Sequence, residues 1–266
     1  MQDNPILTVN NVGKTFNTRS GQIEALRDVS FSVAKNEVCV LLGPSGCGKS
    51  TLLNIVAGLE MPTTGQLWLE DHPILGPARE RGMVFQSYTS FPWLTVTQNV
   101  EYGMKLNGVP QAERKKRARE FIDLVHLTKF SDAYPKNLSG GMKQRVAIAR
   151  TLANVPQIVL MDEPYGALDA ETRWHMQEML LEIVRTTHTT ILLVTHDIQE
   201  AIFLADRIVF LSAHPGRLKT ILNLDFKAGK EIESKEDLIA LDGYAACERE
   251  IMSLMRNEAK PDQDDY

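Results

Sequence analysis

Two apolar patterns alternate along the chain. Short continuous runs, Val38–Leu42, Ile158–Met161, Thr190–Thr195 and Arg207–Leu211, read as strands buried on both faces. Between them lie segments with helical spacing: Leu52–Gly58, Gly141–Asn154, Glu171–Arg185 and Ile198–Ala205. Strand alternating with helix predicts an α/β fold, a mostly parallel sheet with helices on both faces. The N-terminal stretch differs. Ile6–Val9, Ile23–Leu26 and Val29–Val33 are short strand candidates, with Phe16 in a turn, and they predict an antiparallel β subdomain leading into the core. Gln66–Leu69 and Gly82–Phe85 read as further strands. From Leu94 to Thr128 the spacing turns helical: Gln98–Leu106, then a charged amphipathic helix from Gln111 with Phe121, Leu124 and Val125 on one face. The expected organisation is one α/β domain over 1–225, a helical subdomain inserted at about 87–155, and a tail over 226–266. The tail is polar, with a last helix at Tyr244–Arg256 and an acidic end, Asp262-Gln263-Asp264-Asp265.

Composition narrows the class. The formal net charge of −5 over 266 residues argues against a general nucleic-acid footprint, which would be basic. The basic run Arg114-Lys115-Lys116-Arg117 reads as a solvated helix face. Three cysteines, Cys39 in a strand, Cys47 in a loop and Cys247 in the tail, make no disulfide framework and predict a reduced cytoplasmic setting. Met1-Gln2-Asp3-Asn4-Pro5 has neither a basic nor an apolar region, so no signal peptide is expected. No apolar run approaches the length that spans a bilayer, so any membrane link is expected to go through a partner.

The chemistry centres on Gly43-Pro44-Ser45-Gly46-Cys47-Gly48-Lys49-Ser50-Thr51, set between a strand and a helix. The pattern G-x-x-x-x-G-K-[ST] in that context is a P-loop. Glycines let the backbone curl around a phosphate chain. Successive N–H groups form an anion nest, and the helix N-terminus adds roughly half a positive charge. Lys49 is expected to reach the β/γ-phosphates, Ser50 to hold Mg²⁺, and Thr51 to donate near the α-phosphate.

Other residues fit around that loop. Asp162-Glu163 closes an apolar strand, and ligands in parallel sheets sit at strand carboxyl ends. Asp162 suits Mg²⁺; Glu163 suits activation of an attacking water. The bland alternative is a strand-end pair facing solvent. Gln86 ends a strand, either as a turn residue or as a group feeling both metal and insertion. His196, in Thr195-His196-Asp197, is either structural or a contact to a γ-phosphate. Phe16 is either core or a platform for a nucleotide base. Leu138-Ser139-Gly140-Gly141-Met142-Lys143-Gln144-Arg145 offers a second anion cradle, with Ser139 capping a helix and Gly140 and Gly141 baring N–H groups. A second cradle in one chain suggests service to a nucleotide bound by another copy.

Together these motifs resemble the ATP-binding cassette (ABC) ATPases. The P-loop (Walker A), Gln86, the signature Leu138–Gln144, a Walker B strand ending Asp162-Glu163, Ala167-Leu168-Asp169 and His196 appear in that family's order, over roughly residues 6–225. The resemblance implies ATP and Mg²⁺ as ligands and a P-loop ATPase core. It implies adenine stacking for Phe16, metal contact and coupling for Gln86, a dimer contact for Asp169 and a γ-phosphate switch for His196. It implies paired domains, each ATP held between the P-loop of one copy and Ser139, Gly140 and Gly141 of the other. A finer resemblance lies in Arg79–Gln86, Phe91-Pro92-Trp93-Leu94-Thr95-Val96 and His214-Pro215-Gly216-Arg217. These look like the nitrate/sulfonate/taurine/bicarbonate importer ATPases, in which the Pro-Trp-Leu-Thr-Val stretch lines the groove for a membrane subunit's coupling helix. Tyr165 departs from that pattern, where phenylalanine is more usual.

The implied protein is an ATP-hydrolysing importer subunit at the cytoplasmic face of the inner membrane. It would form a homodimer, or a heterodimer with a similar ATPase subunit. It would bind integral membrane permease subunits and, through them, an extracytoplasmic solute-binding protein, with no nucleic acid. The alternatives are a non-transport ABC ATPase, which would usually carry long insertions or a second cassette, and an exporter-type one.

Overall fold

The computed structural model describes residues 5–19, 21–230 and 232–258; the acidic end Asp262–Asp265 lies outside them. In chain order the elements are β1 (Leu7–Thr18), β2 (Gly21–Val33), β3 (Val38–Leu42), α1 (Lys49–Ala57), β4 (Thr64–Leu69), β5 (His72–Pro73), β6 (Arg81–Val84), α2 (Val96–Leu106), α3 (Gln111–Leu124), α4 (Gly140–Leu152), β7 (Ile158–Asp162), α5 (Ala170–Thr187), β8 (Thr190–Val194), α6 (Ile198–Leu204), β9 (Arg207–Leu211), β10 (Leu218–Asn223), α7 (Lys235–Ile239) and α8 (Tyr244–Glu258). They fall into two compact units. One takes the chain up to Pro77 and resumes at Thr190; the other is Ala78–Thr189.

The first unit holds two sheets. In the antiparallel one the order is β2-β1-β4-β5. The separate short strands expected there join into one long hairpin, paired from Leu7 with Val33 to Thr18 with Gly21. Register shifts in β1 let pairing continue past polar interruptions, and Asn11 (φ 49°) and Asp28 (φ 50°) take the left-handed backbone that a bulged ladder needs. Phe16 is therefore in a strand, opposite Ile23, and not in a turn. In the second sheet β3 runs parallel to β9 on one side and to β8 on the other, with β10 antiparallel on β9. All five residues of β3 and all five of β8 are buried, as their unbroken apolar runs predict. Sequence spacing missed β10, whose residues are only half-buried or exposed.

The second unit pairs β6 and β7 in parallel and packs α2, α3 and α4 against one another. In α3 the buried positions are Ala118 and Ile122, with Val125 following; Phe121 and Leu124 are only half-buried, so the apolar face lies about a fifth of a turn from the expected one. Within the basic run, Lys115 and Lys116 are exposed, while Arg114 pairs with Glu101 and Arg117 with Glu113. Helix α2 begins two residues earlier than expected because Thr95 and Gln98 form a reciprocal capping box. Among the described residues no helix is long and apolar enough to cross a membrane.

Candidate functional site

The P-loop is delivered by β3. Gly46 (φ 78°) and Gly48 (φ 95°) take left-handed backbone that other residues adopt at a cost. A Cβ on Gly48 would also stand 2.8 Å from the Ala25 carbonyl oxygen. Helix α1 starts with no side-chain cap, and a helix N-terminus favours negative charge. Lys49 is almost fully buried, and its ammonium donates to the carbonyls of Gly43 and Pro44, each at 2.8 Å. Ser45, Gly46 and Ser50 are exposed, and Thr51 is half-buried. Burial pushes the Cys47 thiol above its ordinary pKa, against the lowering pull of Lys49, so the thiol stays protonated.

The His214–Arg217 turn reaches the loop's inner wall. Gly216 N–H donates to Ala25 O (3.0 Å), and its carbonyl accepts from Arg27 N–H (2.9 Å). A Cβ on Gly216 would overlap the carbonyl oxygen of Cys47. The turn thus props the P-loop backbone, a role its sequence did not disclose. Gly216→Ala is expected to weaken ATP binding by ~10-fold, about 1.4 kcal/mol and within the usual cost of overpacking. Turnover at saturating ATP should be little changed. Nucleotide titration alongside steady-state kinetics checks this.

Phe16 is half-buried, and the Lys14 ammonium sits 4.9 Å over its ring, itself held by Glu60 (2.5 Å) and Met61 O (2.7 Å). His196 is exposed, between β8 and α6. Its loop is latched locally: Thr195 Oγ1 accepts from Asp197 N–H (3.0 Å) and donates to the buried Glu200 carboxylate, and Asp197 Oδ1 accepts from Glu200 N–H (3.0 Å).

The second unit carries the carboxylates. Asp162 ends β7 and Glu163 follows at φ 43°, a left-handed backbone uncommon for glutamate. Gln86 Nε2 donates to Glu163 Oε2 at 3.3 Å, so these two predicted residues are brought together. Ser139 caps α4 as expected, its Oγ accepting from Met142 N–H at 3.3 Å. Gly140 and Gly141 are glycine for close approach. A Cβ on the first would overlap the Tyr88 hydroxyl, and one on the second would stand 2.6 Å from Thr172 Cγ2. Asp169 is exposed and caps α5, accepting from Thr172 N–H at 2.9 Å, which holds its carboxyl below the usual range.

Between Gln86 and α2 the chain is pinned by Asn99, which is fully buried. Its amide donates to the carbonyls of Phe91 (3.1 Å), Leu94 (3.0 Å) and Thr95 (2.9 Å) and accepts from Phe91 N–H (2.8 Å). The Pro-Trp-Leu-Thr-Val stretch is thereby a fixed loop with Trp93 68% exposed. Beside it opens an apolar groove of about 470 Å³, its walls including Met83, Phe85, Phe91, Tyr102, Leu106 and Arg150. Phe91 packs on Tyr102 at 4.5 Å between ring centroids, and Arg150 lies 5.3 Å over the same ring. Asn99, Tyr88 and Arg150 were not singled out from the sequence; a helix-interior asparagine carries no signal of what it will bond.

A strand, glycine loop and uncapped helix with a buried lysine define a P-loop nucleotide-binding protein of α/β class. The family model for ABC transporters matches residues 26–166, and the chain belongs to that family, whose members are ATPases. The nitrate import ATP-binding protein of Synechocystis sp. is 45% identical over 225 residues, 85% of each chain. The taurine import ATP-binding protein of Roseobacter denitrificans is 46% identical over 221 residues, 83% of this chain and 82% of that one. Among solved structures, a dimeric ATP-binding cassette in a post-hydrolysis state with ADP and Pi aligns at a TM-score of 0.71 and 35% identity, covering 82% of this chain and 98% of that one.

Proposed function

We propose that this chain is the ATP-hydrolysing subunit of an importer for a small solute of the nitrate, sulfonate, taurine or bicarbonate class. It works as a pair of cassettes beneath membrane permease subunits at the cytoplasmic face. The observation that carries the coupling is a single backbone step. Phe85 walls the apolar groove, and the next residue, Gln86, bonds the Glu163 carboxylate. A helix seated in the groove would press on Phe85, and Gln86 would convey that to the group handling water. Relatives at 42–46% identity are named as import ATP-binding proteins for nitrate, taurine and aliphatic sulfonates.

Phosphoryl transfer to water is mainly positioning and charge neutralisation. Phe16 stacks on the adenine. Backbone N–H groups of the loop from Ser45 to Thr51 and the Lys49 ammonium take the phosphate oxygens. Glu163 accepts the proton of the attacking water, with Gln86 fixing its carboxylate, and His196 contacts the γ-phosphate. Ser139, Gly140 and Gly141 of a second copy close the site, with Asp169 near that contact. Among the described residues no three His, Cys, Asp or Glu side chains gather to cage a metal. Mg²⁺ keeps several waters and binds through one or two protein oxygens plus substrate phosphates. Ser50, Asp162 and Gln86 would hold it, and when bound it neutralises phosphate charge.

The test uses Leu106, an exposed residue of the groove. Leu106→Arg should strip membrane subunits from the tagged chain on purification and abolish ATP-driven solute uptake, with ATPase activity of the isolated chain within about twofold of wild type. Undiminished recovery of the membrane subunits, or recovery of ribosomes or DNA in their place, overturns the proposal.

A further inference from the structure

Helix α6 begins two residues after His196 and is only seven residues long. A helix this short has no independent stability, so its position is set by what holds it. Its N-terminal end is held by the Thr195, Asp197 and Glu200 latch. Its C-terminal carbonyls sit among buried residues, Ala201 to Ala205, where unpaired acceptors are costly.

They are met by one side chain from beyond β10. Lys227 Nζ donates to Ile202 O (3.0 Å), Phe203 O (2.9 Å) and Ala205 O (2.6 Å). An ammonium has three donors, and a helix C-terminus is where positive charge is favoured. Helix α8 reinforces the arrangement from the side. It packs on α6 with Tyr244 and Ile251 buried, and Glu248 Oε1 accepts from Tyr244 Oη (3.1 Å) and from Gln199 Nε2 on α6 (3.5 Å). The far end of α8 is tied by Glu258, which accepts from Ala213 N–H (2.8 Å) and pairs with Lys219 (3.0 Å).

We infer that residues 224–230 and 232–258 are a brace on the helix that follows the switch histidine, and that Lys227 is a positioning residue for His196. This rests on the γ-phosphate role of His196 proposed above. The brace sets the imidazole's place at the moment of hydrolysis and leaves nucleotide capture to the P-loop.

The full chain tests this in a double-mutant cycle of Lys227→Met and His196→Ala, with kcat and KM for ATP measured for each. Lys227→Met is expected to lower kcat about tenfold with KM for ATP unchanged. Lys227→Arg, which keeps charge and donors, should recover most of that loss. In the His196→Ala background Lys227→Met should cost nothing further. If Lys227→Met does not purify folded, Lys227→Gln, with two amide donors, is read by the same cycle. A slow His196→Ala chain in which the Lys227 substitution still costs its tenfold, or a loss seen in KM alone, overturns the brace and leaves the site reading standing. A His196→Ala chain with wild-type turnover overturns both.

Discussion

Glu163→Gln is expected to slow ATP turnover by about 10²–10⁴-fold, the usual worth of a general base, with ATP binding intact. The amide matches the carboxylate in shape and keeps an oxygen that can accept from Gln86 Nε2, so the 3.3 Å contact survives. The left-handed backbone at this position, φ 43°, is equally open to glutamine. What disappears is the ability to accept a proton from water. Phosphate release and nucleotide titration measure the two halves separately. Near-normal turnover would remove Glu163 from the role.

In that same variant, ATP with Mg²⁺ is expected to shift the chain from monomer to dimer, read as a doubling of molar mass by light scattering. Ser139 is exposed at the N-terminus of α4, and the two glycines after it add no side chain of their own at the helix end. Such a surface is complementary to a phosphate group carried by another copy. Slowed hydrolysis holds ATP in place long enough for the pair to accumulate. Adding Ser139→Arg, which fills the approach, should return the mass to that of one chain. A Glu163→Gln chain that stays monomeric with ATP would remove the shared-site reading.

Most of the α/β core was legible because buried parallel strands are written as unbroken apolar runs. Val38–Leu42 and Arg207–Leu211 were placed to the residue. The P-loop and the signature were legible because glycine and a capping serine are needed for backbone reasons, which leave fixed spacings. What escaped depends on contacts that residue spacing does not spell out. The long β1–β2 hairpin looked like separate strands because its bulges carry polar residues such as Asn11 and Asp28. Asn99 and Lys227 look like any helix-interior or tail residue until the carbonyls they meet are known. Gly216 sat in a recognised motif, yet the reason for a glycine there is a carbonyl contributed by Cys47, far away in sequence. The α2 and α7 starts were a different kind of miss. Thr95-x-x-Gln98 and Ser234-x-x-Asp237 are both visible as capping boxes in the sequence.

The buried ammonium of Lys49, folded back onto Gly43 and Pro44, bears on how substitutions there are interpreted. The side chain acts as a staple that keeps its own loop curled. A Lys49→Ala chain therefore forfeits two things together, the grip on the triphosphate and the shape of the loop. Its lost affinity measures their sum, so equating that loss with a lysine–phosphate attraction would overstate the attraction.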